Sequence, residues 1–516
     1  MYSHEYAIIQ GYYQDRRFCM TIKTTIIGMI CKFLGIGFLI GCTASYASVE
    51  QQFQTLQTNP SALYDFLKAM PKGGELHYHF DGSIYAETML YLARRTHVCL
   101  NSKTMASEFC RLETPGMTMP DVLKHPALFD KTVHAWSMKD FSPTNESAYE
   151  HFHSIFPKLF IIQSQIQAQL LAAVLKKAAE QHELYLEIIL FGLPDNQPFS
   201  KDIAAAKTFE DKRQRLLANQ AFQRYVVRLV TQSQELLPAA RNLLHCATNP
   251  AQDACKIQIN YHYYVRRTRF NDTFFADALV GFVAAERSHT IVAVNLVGVE
   301  DDPVAQHDYA QQMDVFNELH KLYPKVHIAL HAGELFPKAV ALHAVQSPIR
   351  DAIMLGQAER IGHGLDIREE PHPEQLAALM ADKGIAVETN LTSNRLLFNI
   401  AGTQHPLPYY LDHHVPVVLS TDDEGILRTE LTNEYFDAVS HYHLSYTTLK
   451  NINRNTLTYA FLPGQSLWFN PRLDIPVKAC EFLDSRSCLH FVKNSPKAKL
   501  QWQLEQDFKV FEKQYA

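Results

Sequence analysis

The sequence has little excess charge of either sign. Its 48 Lys and Arg residues nearly balance 54 Asp and Glu residues, and the formal net charge is -6. Because nucleic-acid-binding domains carry a strongly basic patch, this balance predicts no nucleic-acid partner. After residue 48 the chain also lacks an apolar run of the roughly 20 residues that span a bilayer. With 47% hydrophobic and 20% charged residues, the composition is that of an ordinary globular protein.

The one long apolar stretch lies near the N-terminus, at 26–40, and its core is 33–40. Lysines precede this core and small residues follow it, which is the order typical of a secretory leader. We therefore expect 1–47 to be a signal sequence and 48–516 to be the mature protein. The end of the apolar stretch, Leu-Ile-Gly-Cys42, resembles the bacterial lipobox and implies a lipid anchor on Cys42; cleavage after Ala47 is the alternative. The expected location is the bacterial periplasm or envelope.

Cysteine is scarce in the expected mature chain. Six cysteines remain, in three close pairs: Cys99 with Cys110, Cys246 with Cys255, and Cys480 with Cys488. Even parity and local pairing predict three disulfide-closed loops in an oxidising compartment. Six reduced core cysteines are the alternative, and the leader makes that the poorer interpretation.

No hairpin turn separates the strands that the apolar runs predict. These eight strands are 74–80, 183–190, 256–265, 291–297, 327–330, 360–364, 384–388 and 415–419. Helical segments alternate with them, so the pattern predicts parallel βα units. Eight such units predict an α/β fold, a closed (β/α)8 TIM barrel. Helical insertions are expected at 84–182 and 200–245, with helical extensions at 50–70 and 430–516.

Polar residues are concentrated where the predicted strands end. They are His77, His79, Gly298, His331, Glu334, His363, Asn390, Asp422 and Asp423. In (β/α)8 barrels the active site lies at the C-terminal ends of the strands. The placement therefore predicts that these residues meet at one site.

Four of these residues are candidate metal ligands: His77, His79, His331 and Asp422. Histidines two apart in a strand project from one face, and imidazoles with a carboxylate suit a single zinc ion with an open position for water. A bound zinc lowers the pKa of that water toward neutrality. A binuclear site is disfavoured, because the fourth strand ends in Val297-Gly298 without the lysine that usually bridges two metals.

Three further residues suit acid/base chemistry. Glu334 follows His331 by three positions and is a candidate proton donor, while His363 and Asp423 could orient or deprotonate the water. Taken alone, His363 would be a structural histidine and Asp423 a helix cap. As members of one ring of residues at the strand ends, both are better explained as parts of a site.

The motifs together resemble those of the adenosine deaminase family. Residues 70–83 are similar to its opening motif, and 331–334, 362–364 and 420–423 are similar to its later motifs, in the same order. The resemblance implies a zinc barrel that hydrolyses adenosine and 2′-deoxyadenosine, releasing ammonia and, from adenosine, inosine. It implies the four zinc ligands named above, protonation of purine N1 by Glu334, and handling of the attacking water by His363 and Asp423.

The resemblance also implies the substrate contacts. Asp81 would bind the ribose, the backbone of Gly298 would contact N3, and Asp423 would contact N7. The partner would be a small purine nucleoside rather than AMP, since a 5′-phosphate would face the Asp81 carboxylate, and no cluster of Lys or Arg lies beside the motifs. The sequence leaves the oligomeric state open.

Some positions depart from the family pattern. Gly73-Gly74 and the Cys99/Cys110 loop are similar to the secreted adenosine deaminase growth-factor branch. Glu388-Thr389-Asn390-Leu391 replaces the usual Cys-Pro, and Asn295 stands where Asp is usual, without an assigned role. Two alternatives follow: a deaminase of another 6-aminopurine compound, or a non-catalytic nucleoside-binding or growth-factor-like protein.

Overall fold

A computed structural model describes residues 48–515, except 112–115, 196, 198 and 336–346. The expected leader, including Cys42, lies outside the described residues. Eight strands form one sheet in which neighbouring strands follow the chain order. They are β1 to β8: Lys72–His79, Glu183–Phe191, Gln258–Arg266, Ile291–Val297, His327–Ala332, Arg360–His363, Ala386–Thr389 and Val417–Leu419.

The sheet curls so that its first and last strands meet. Each pair of neighbouring strands is parallel. Just past β8, Asp422 bridges to Tyr78 of β1; its amide donates to the carbonyl of His77 at 3.3 Å, and its carbonyl accepts from the amide of His79 at 2.8 Å. The predicted (β/α)8 barrel is confirmed, with each strand boundary within two residues of its predicted position.

Helices surround the barrel and fill its insertions. In chain order α1 to α21 are Val49–Leu56, Pro60–Ala69, Ala86–Leu92, Met119–Lys124, Pro126–Ala135, Ala148–Gln165, Gln167–Glu180, Ser200–Ile203, Phe209–Ala218, Gln220–Leu243, Asn271–Arg287, Pro303–Leu322, Pro348–Met354, Pro373–Lys383, Leu391–Phe398, Leu407–Asp412, Glu424–Leu427, Leu431–Tyr442, Tyr446–Tyr459, Arg486–Lys493 and Pro496–Gln514. Among the described residues no single helix is long and apolar enough to cross a membrane; the pair α6 and α7, bent by 103°, meets that test together.

Two predicted helical regions also contain short strands, which corrects the sequence prediction. Within 84–182, Val98–Leu100 pairs antiparallel with Ser107–Phe109 and with Met117–Thr118. Within 430–516, Trp468–Asn470 pairs with Ile475–Pro476. Strands of two or three residues are too short to show an alternating pattern in the sequence.

The three predicted cysteine pairs are joined as disulfides. The sulfur atoms are 2.13 Å apart in Cys99–Cys110, 1.97 Å in Cys246–Cys255 and 2.03 Å in Cys480–Cys488. The first joins Cys99, in the strand Val98–Leu100, to Cys110, the residue that follows the strand Ser107–Phe109. The third joins two residues of a small buried apolar cluster that packs apart from the barrel core.

The glycine pair at the start of β1 has a steric cause. A Cβ on Gly74 would lie 1.6 Å from the carbonyl oxygen of Tyr185 in β2, and the φ of Gly74 is +130°. A Cβ on Gly73 would lie 2.4 Å from the carbonyl oxygen of Asn453. Only glycine lets β1 run this close to both neighbours, and β1 carries the two histidines at its other end.

Candidate active site

The four predicted metal ligands converge at the C-terminal end of the barrel. The Nε2 atoms of His79 and His331 are 3.0 Å apart. The Oδ1 atom of Asp422 lies 3.3 Å from the Nε2 atoms of both His77 and His79. A nitrogen of His363 also lies within 4.8 Å of the donor atoms of His77, His331 and Asp422. The structure thus brings all four predicted ligands together and places His363 beside them.

The donor set fits a cation. The Nε2 atom of His77 is buried without a hydrogen-bond partner among the described residues, and facing imidazole nitrogens such as those of His79 and His331 hold either a proton or a metal ion between them. Burial lowers the pKa of His79 to about 4 and the pKa of His331 well below its usual range. Both rings are therefore in the neutral form that binds metal.

The charges around His77 also fit a bound cation. Although burial opposes it, contacts with the carboxylates of Asp422 and Glu388 raise the pKa of His77 to about 10. The pocket therefore favours a positive charge next to these two carboxylates. Three imidazoles and one carboxylate with this electrostatic demand are a donor set for a divalent transition metal.

Glu388 orients His77, a role that the sequence did not reveal. Its Oε2 accepts a hydrogen bond from His77 Nδ1 at 2.8 Å, and its Oε1 accepts from Arg360 Nε at 2.6 Å. Against the effect of burial, the Arg360 guanidinium lowers the pKa of Glu388 to about 2. The ionised carboxylate keeps the proton of His77 on Nδ1 and leaves the Nε2 lone pair facing the pocket, as outer-shell carboxylates do in metal sites.

Arg360 connects this pair to the interior of the barrel. Its Nη2 donates to Glu187 Oε2 at 2.6 Å, and His262 Nε2 lies 2.8 Å from the same oxygen. All of these side chains are buried. The buried guanidinium of Arg360 therefore lies between the carboxylates of Glu388 and Glu187 and holds in place the carboxylate that orients His77.

Asn295 orients His331 by a hydrogen bond to Nδ1, as Glu388 orients His77. Its Oδ1 accepts from His331 Nδ1 at 2.9 Å and from the amide of Leu296 at 2.8 Å. The proton of His331 is thereby held on Nδ1, and Nε2 is free to bind a metal. Asn295 was left without a role by the sequence because its partner lies on the neighbouring strand.

Glu334 lies on a loop that a second carboxylate fixes. The Oε1 and Oε2 atoms of Glu300 accept from the amides of Gly333 and Glu334 at 3.1 and 2.9 Å. Arg267 Nη1 lies 2.9 Å from Glu300 Oε2. Burial, with the charges of Asp422 and Glu300, raises the pKa of Glu334 well above its usual range, so Glu334 can hold a proton at neutral pH.

Two site residues have left-handed backbone conformations, which is uncommon for residues with a Cβ. The φ angles of His363, at the end of β6, and of Asp422, after β8, are both +64°. Such strain is typical of positions where function sets the direction of a side chain. At both positions the left-handed conformation interrupts the regular alternation of side chains along the strand, and both side chains face the pocket. There His363 Nε2 lies 4.0 Å from Asp422 Oδ2.

The three predicted substrate contacts all lie shortly after the ends of barrel strands. Asp423 is buried, and its Oδ1 has no hydrogen-bond partner among the described residues; burial and the charges of Asp422 and Asp81 raise its pKa well above the usual range. Asp81 lies in the 3-10 turn Phe80–Gly82 that follows β1, and burial raises its pKa to about 6. Gly298, just past β4, is exposed, with φ +109°.

The comparisons with known proteins agree with this geometry. The model of the family described as "Adenosine deaminase" matches residues 228–467. The matched range contains His331, Glu334, His363, Asp422 and Asp423, and begins after β1. An adenosine deaminase of Klebsiella pneumoniae is 37% identical over 140 residues, 27% of this chain and 39% of the relative. The match thus spans about two-fifths of that relative's length.

Two solved structures share the fold. An Arabidopsis protein named ADAL, complexed with IMP, has a TM-score of 0.52 at 17% identity and covers 88% of this chain and 100% of its own. An amidohydrolase from Burkholderia ambifaria with bound Zn has a TM-score of 0.50 at 14% identity and covers 87% of this chain and 94% of its own. These two likenesses show the fold alone; the family match and the order of the motifs place residues 228–467 in the adenosine deaminase family.

Proposed function

We propose that the protein is a zinc-dependent deaminase that hydrolyses adenosine and 2′-deoxyadenosine, releasing ammonia and the 6-oxo nucleoside. The observation that carries the proposal is the convergence of His77, His79, His331 and Asp422 beside Glu334, a carboxyl group whose pKa is raised well above its usual range by burial and the charges of Asp422 and Glu300. A metal site with an adjacent proton donor is what hydrolysis of an aromatic amine requires.

One zinc ion per chain would be held by these three histidines and Asp422. A zinc ion held there would lower the pKa of a water molecule enough to make hydroxide available at neutral pH. Glu388 and Asn295 act through the ligands, because each fixes the proton of a histidine on Nδ1. The remaining chemistry belongs to side chains that face the pocket.

Glu334 and Asp423 have complementary roles in this proposal. Glu334 donates its proton to N1 of the purine, which makes C6 a better electrophile. Asp423 takes a proton from the attacking water and passes it to the departing amine. The water oxygen bonds to C6, the C6–N6 bond breaks and ammonia leaves; the second water proton, released as the C6 hydroxyl becomes the 6-oxo group, returns to Glu334.

The pocket supports a nucleoside rather than a nucleotide. Asp81, two residues after His79, is the proposed acceptor for the ribose hydroxyl groups. The sequence showed no basic cluster near it; in the structure the guanidinium of Arg266 lowers the pKa of Asp81 against the effect of burial. That guanidinium already pairs with Asp195, at 2.9 and 3.1 Å from its two oxygens, so its charge is compensated before any phosphate arrives.

Export is proposed together with this activity. The disulfides Cys99–Cys110, Cys246–Cys255 and Cys480–Cys488 support an oxidising compartment. An exported enzyme would act on nucleosides outside the cytoplasm, in the periplasm or at the envelope.

The test of the chemistry is Glu334→Gln. An amide cannot donate the proton as a carboxylic acid does, so kcat for adenosine should fall by about 10²–10⁴-fold while zinc content and folding remain. Glu369→Gln is the matched control, since Glu369 is exposed and outside the pocket, and should keep the parent kcat. Near-parent kcat in zinc-loaded Glu334→Gln would remove Glu334 from the mechanism.

A further inference from the structure

We propose that Asn394 and His405 are positioning residues that fix the proton of His363 on Nε2, so that this ring faces the metal pocket as a hydrogen-bond donor. It would then be neither a fifth ligand nor the base that deprotonates the water. The inference follows from one hydrogen-bond chain whose direction a backbone amide sets.

The chain begins at the N-terminus of α16. The amide of Leu407 donates to His405 Nδ1 at 3.0 Å. Leu407 is the first residue of α16 and has no intrahelical acceptor for its amide, so it is free to donate here. Because an amide N–H is only a donor, His405 Nδ1 must be an acceptor. His405 is therefore neutral and carries its proton on Nε2, in agreement with its burial.

The orientation of Asn394 follows from that of His405. The Nε2–H of His405 donates to an atom of the Asn394 side chain at 3.0 Å, and an amide accepts only through oxygen, which assigns this atom as Oδ1. The other end of the amide, Nδ2, is then directed at His363 Nδ1, 3.2 Å away. Asn394 is completely buried, so bulk water does not compete for these two hydrogen bonds.

His363 is the end of the chain. Its Nδ1 accepts from Asn394, so its proton is on Nε2. That nitrogen faces the pocket, 3.5 Å from Glu334 Oε1 and 4.0 Å from Asp422 Oδ2. An N–H has no lone pair for a metal or for a proton, although the nitrogen lies close enough to the donor atoms of His77, His331 and Asp422 to join them. This relay of hydrogen bonds, from Leu407 through His405 and Asn394, therefore leaves Nε2 of His363 able only to donate a hydrogen bond to an oxygen atom in the pocket.

The consequence for catalysis rests on the proposed function. In hydrolytic deamination the attacking oxygen gains a bond to C6, and a fixed N–H donor beside it stabilises the charge that develops there. Asp423, whose Oδ1 is without a partner among the described residues, is then left as the proton acceptor.

The tautomer is measured directly by nitrogen chemical shifts in the zinc-loaded full-length protein with labelled histidine, the His363 signals being assigned by their loss in His363→Gln. The inference predicts a pyridine-type Nδ1 and a pyrrole-type Nε2. The reverse pattern in the parent protein would overturn it. This readout needs no turnover, so it decides the tautomer even if adenosine is not the substrate.

The discriminating variant is Asn394→Asp. A carboxylate accepts from both neighbours, so it still accepts from His405 and draws the His363 proton onto Nδ1. The shifts should reverse, and kcat should fall by about 10²–10³-fold with KM changed far less. Asn399→Asp, an exposed position at the end of α15, is the control and should change neither. Parent shifts and parent kcat in Asn394→Asp would overturn the inference.

A second pair of variants guards against misfolding of Asn394→Asp. His405→Gln places an amide N–H near the position of the lost Nε2–H, whereas His405→Leu places nothing there. Retention of the His363 tautomer by the glutamine variant and its loss in the leucine variant support the relay. Equal tautomers and equal kcat in the two variants would contradict it.

Discussion

Glu388→Gln tests whether the proposed metal site depends on a residue outside the set of proposed ligands. In the parent protein one carboxylate accepts two hydrogen bonds, from His77 Nδ1 at 2.8 Å and from Arg360 Nε at 2.6 Å. Glutamine has one acceptor and one donor, so it can satisfy only one of these two N–H groups. If its NH2 group faces His77, the imidazole proton moves to Nε2 and removes the lone pair that binds metal.

The expected size of the effect follows from this conflict. Loss of an outer-shell partner of a metal-binding histidine typically weakens affinity by about 10–100-fold, or about 1.4–2.8 kcal/mol. If the NH2 group faces Arg360 instead, a buried donor without an acceptor lowers the free energy of unfolding by about 1–3 kcal/mol. The first orientation thus lowers the affinity for zinc, and the second lowers the free energy of unfolding.

The assay is competition with a chromophoric chelator, which gives the zinc dissociation constant, together with circular dichroism to confirm folding. Glu359→Gln is the matched control, since Glu359 also pairs with a histidine, His327 at 2.9 Å, but both side chains are more than 40% exposed. Surface pairs of this kind contribute little, so the control should bind zinc like the parent. Parent-like zinc affinity together with a parent-like free energy of unfolding, measured by denaturant titration followed by circular dichroism, would refute the orienting role.

Three further predictions follow. Asp81→Asn should narrow the preference for adenosine over AMP, which in the parent should be roughly a thousandfold because like charges cost about 4 kcal/mol at an effective dielectric near 20; the ratio of kcat/KM values measures it, and efficient AMP turnover by the parent would contradict the proposal. Arg360→Met leaves the carboxylates of Glu187 and Glu388 buried without their cation and should lower the free energy of unfolding by about 3–5 kcal/mol in denaturant titrations; an unchanged midpoint would contradict it. Denatured protein from the cell envelope should show no free thiol. Each disulfide should raise the free energy of unfolding by about 2–3 kcal/mol in the chain-entropy model. Six titratable thiols would contradict both the disulfide pairing and the export.

The barrel could be predicted from the sequence because its strands leave long signals. Runs such as 184–190 and 291–297 are apolar apart from Glu187 and Asn295, as expected for strands buried on both faces, and the polar residues that follow the strands lie at one end of the barrel. The short antiparallel strands at 98–118 could not be predicted in this way. Each has two or three residues, and the strand with which it pairs is visible only in three dimensions.

The same contrast runs through the site. The convergence of His77, His79, His331 and Asp422 could be predicted because each of them lies in a short motif at the end of a strand. The residues that hold them could not, since Glu388 meets His77, and Asn295 meets His331, from other strands. The Leu407–His405 end of the relay to His363 likewise lies on a different segment from β6, and spacing along the chain does not reveal such partners. The similarity to the secreted growth-factor branch stays a prediction.

The most direct test of the central claim is the turnover of adenosine by purified protein of known metal content. One zinc ion per chain should accompany activity on adenosine and 2′-deoxyadenosine, removal by a chelator should abolish both, and added zinc should restore both together. Folded protein that holds one zinc ion at His77, His79, His331 and Asp422 yet releases no ammonia from either nucleoside would contradict the account.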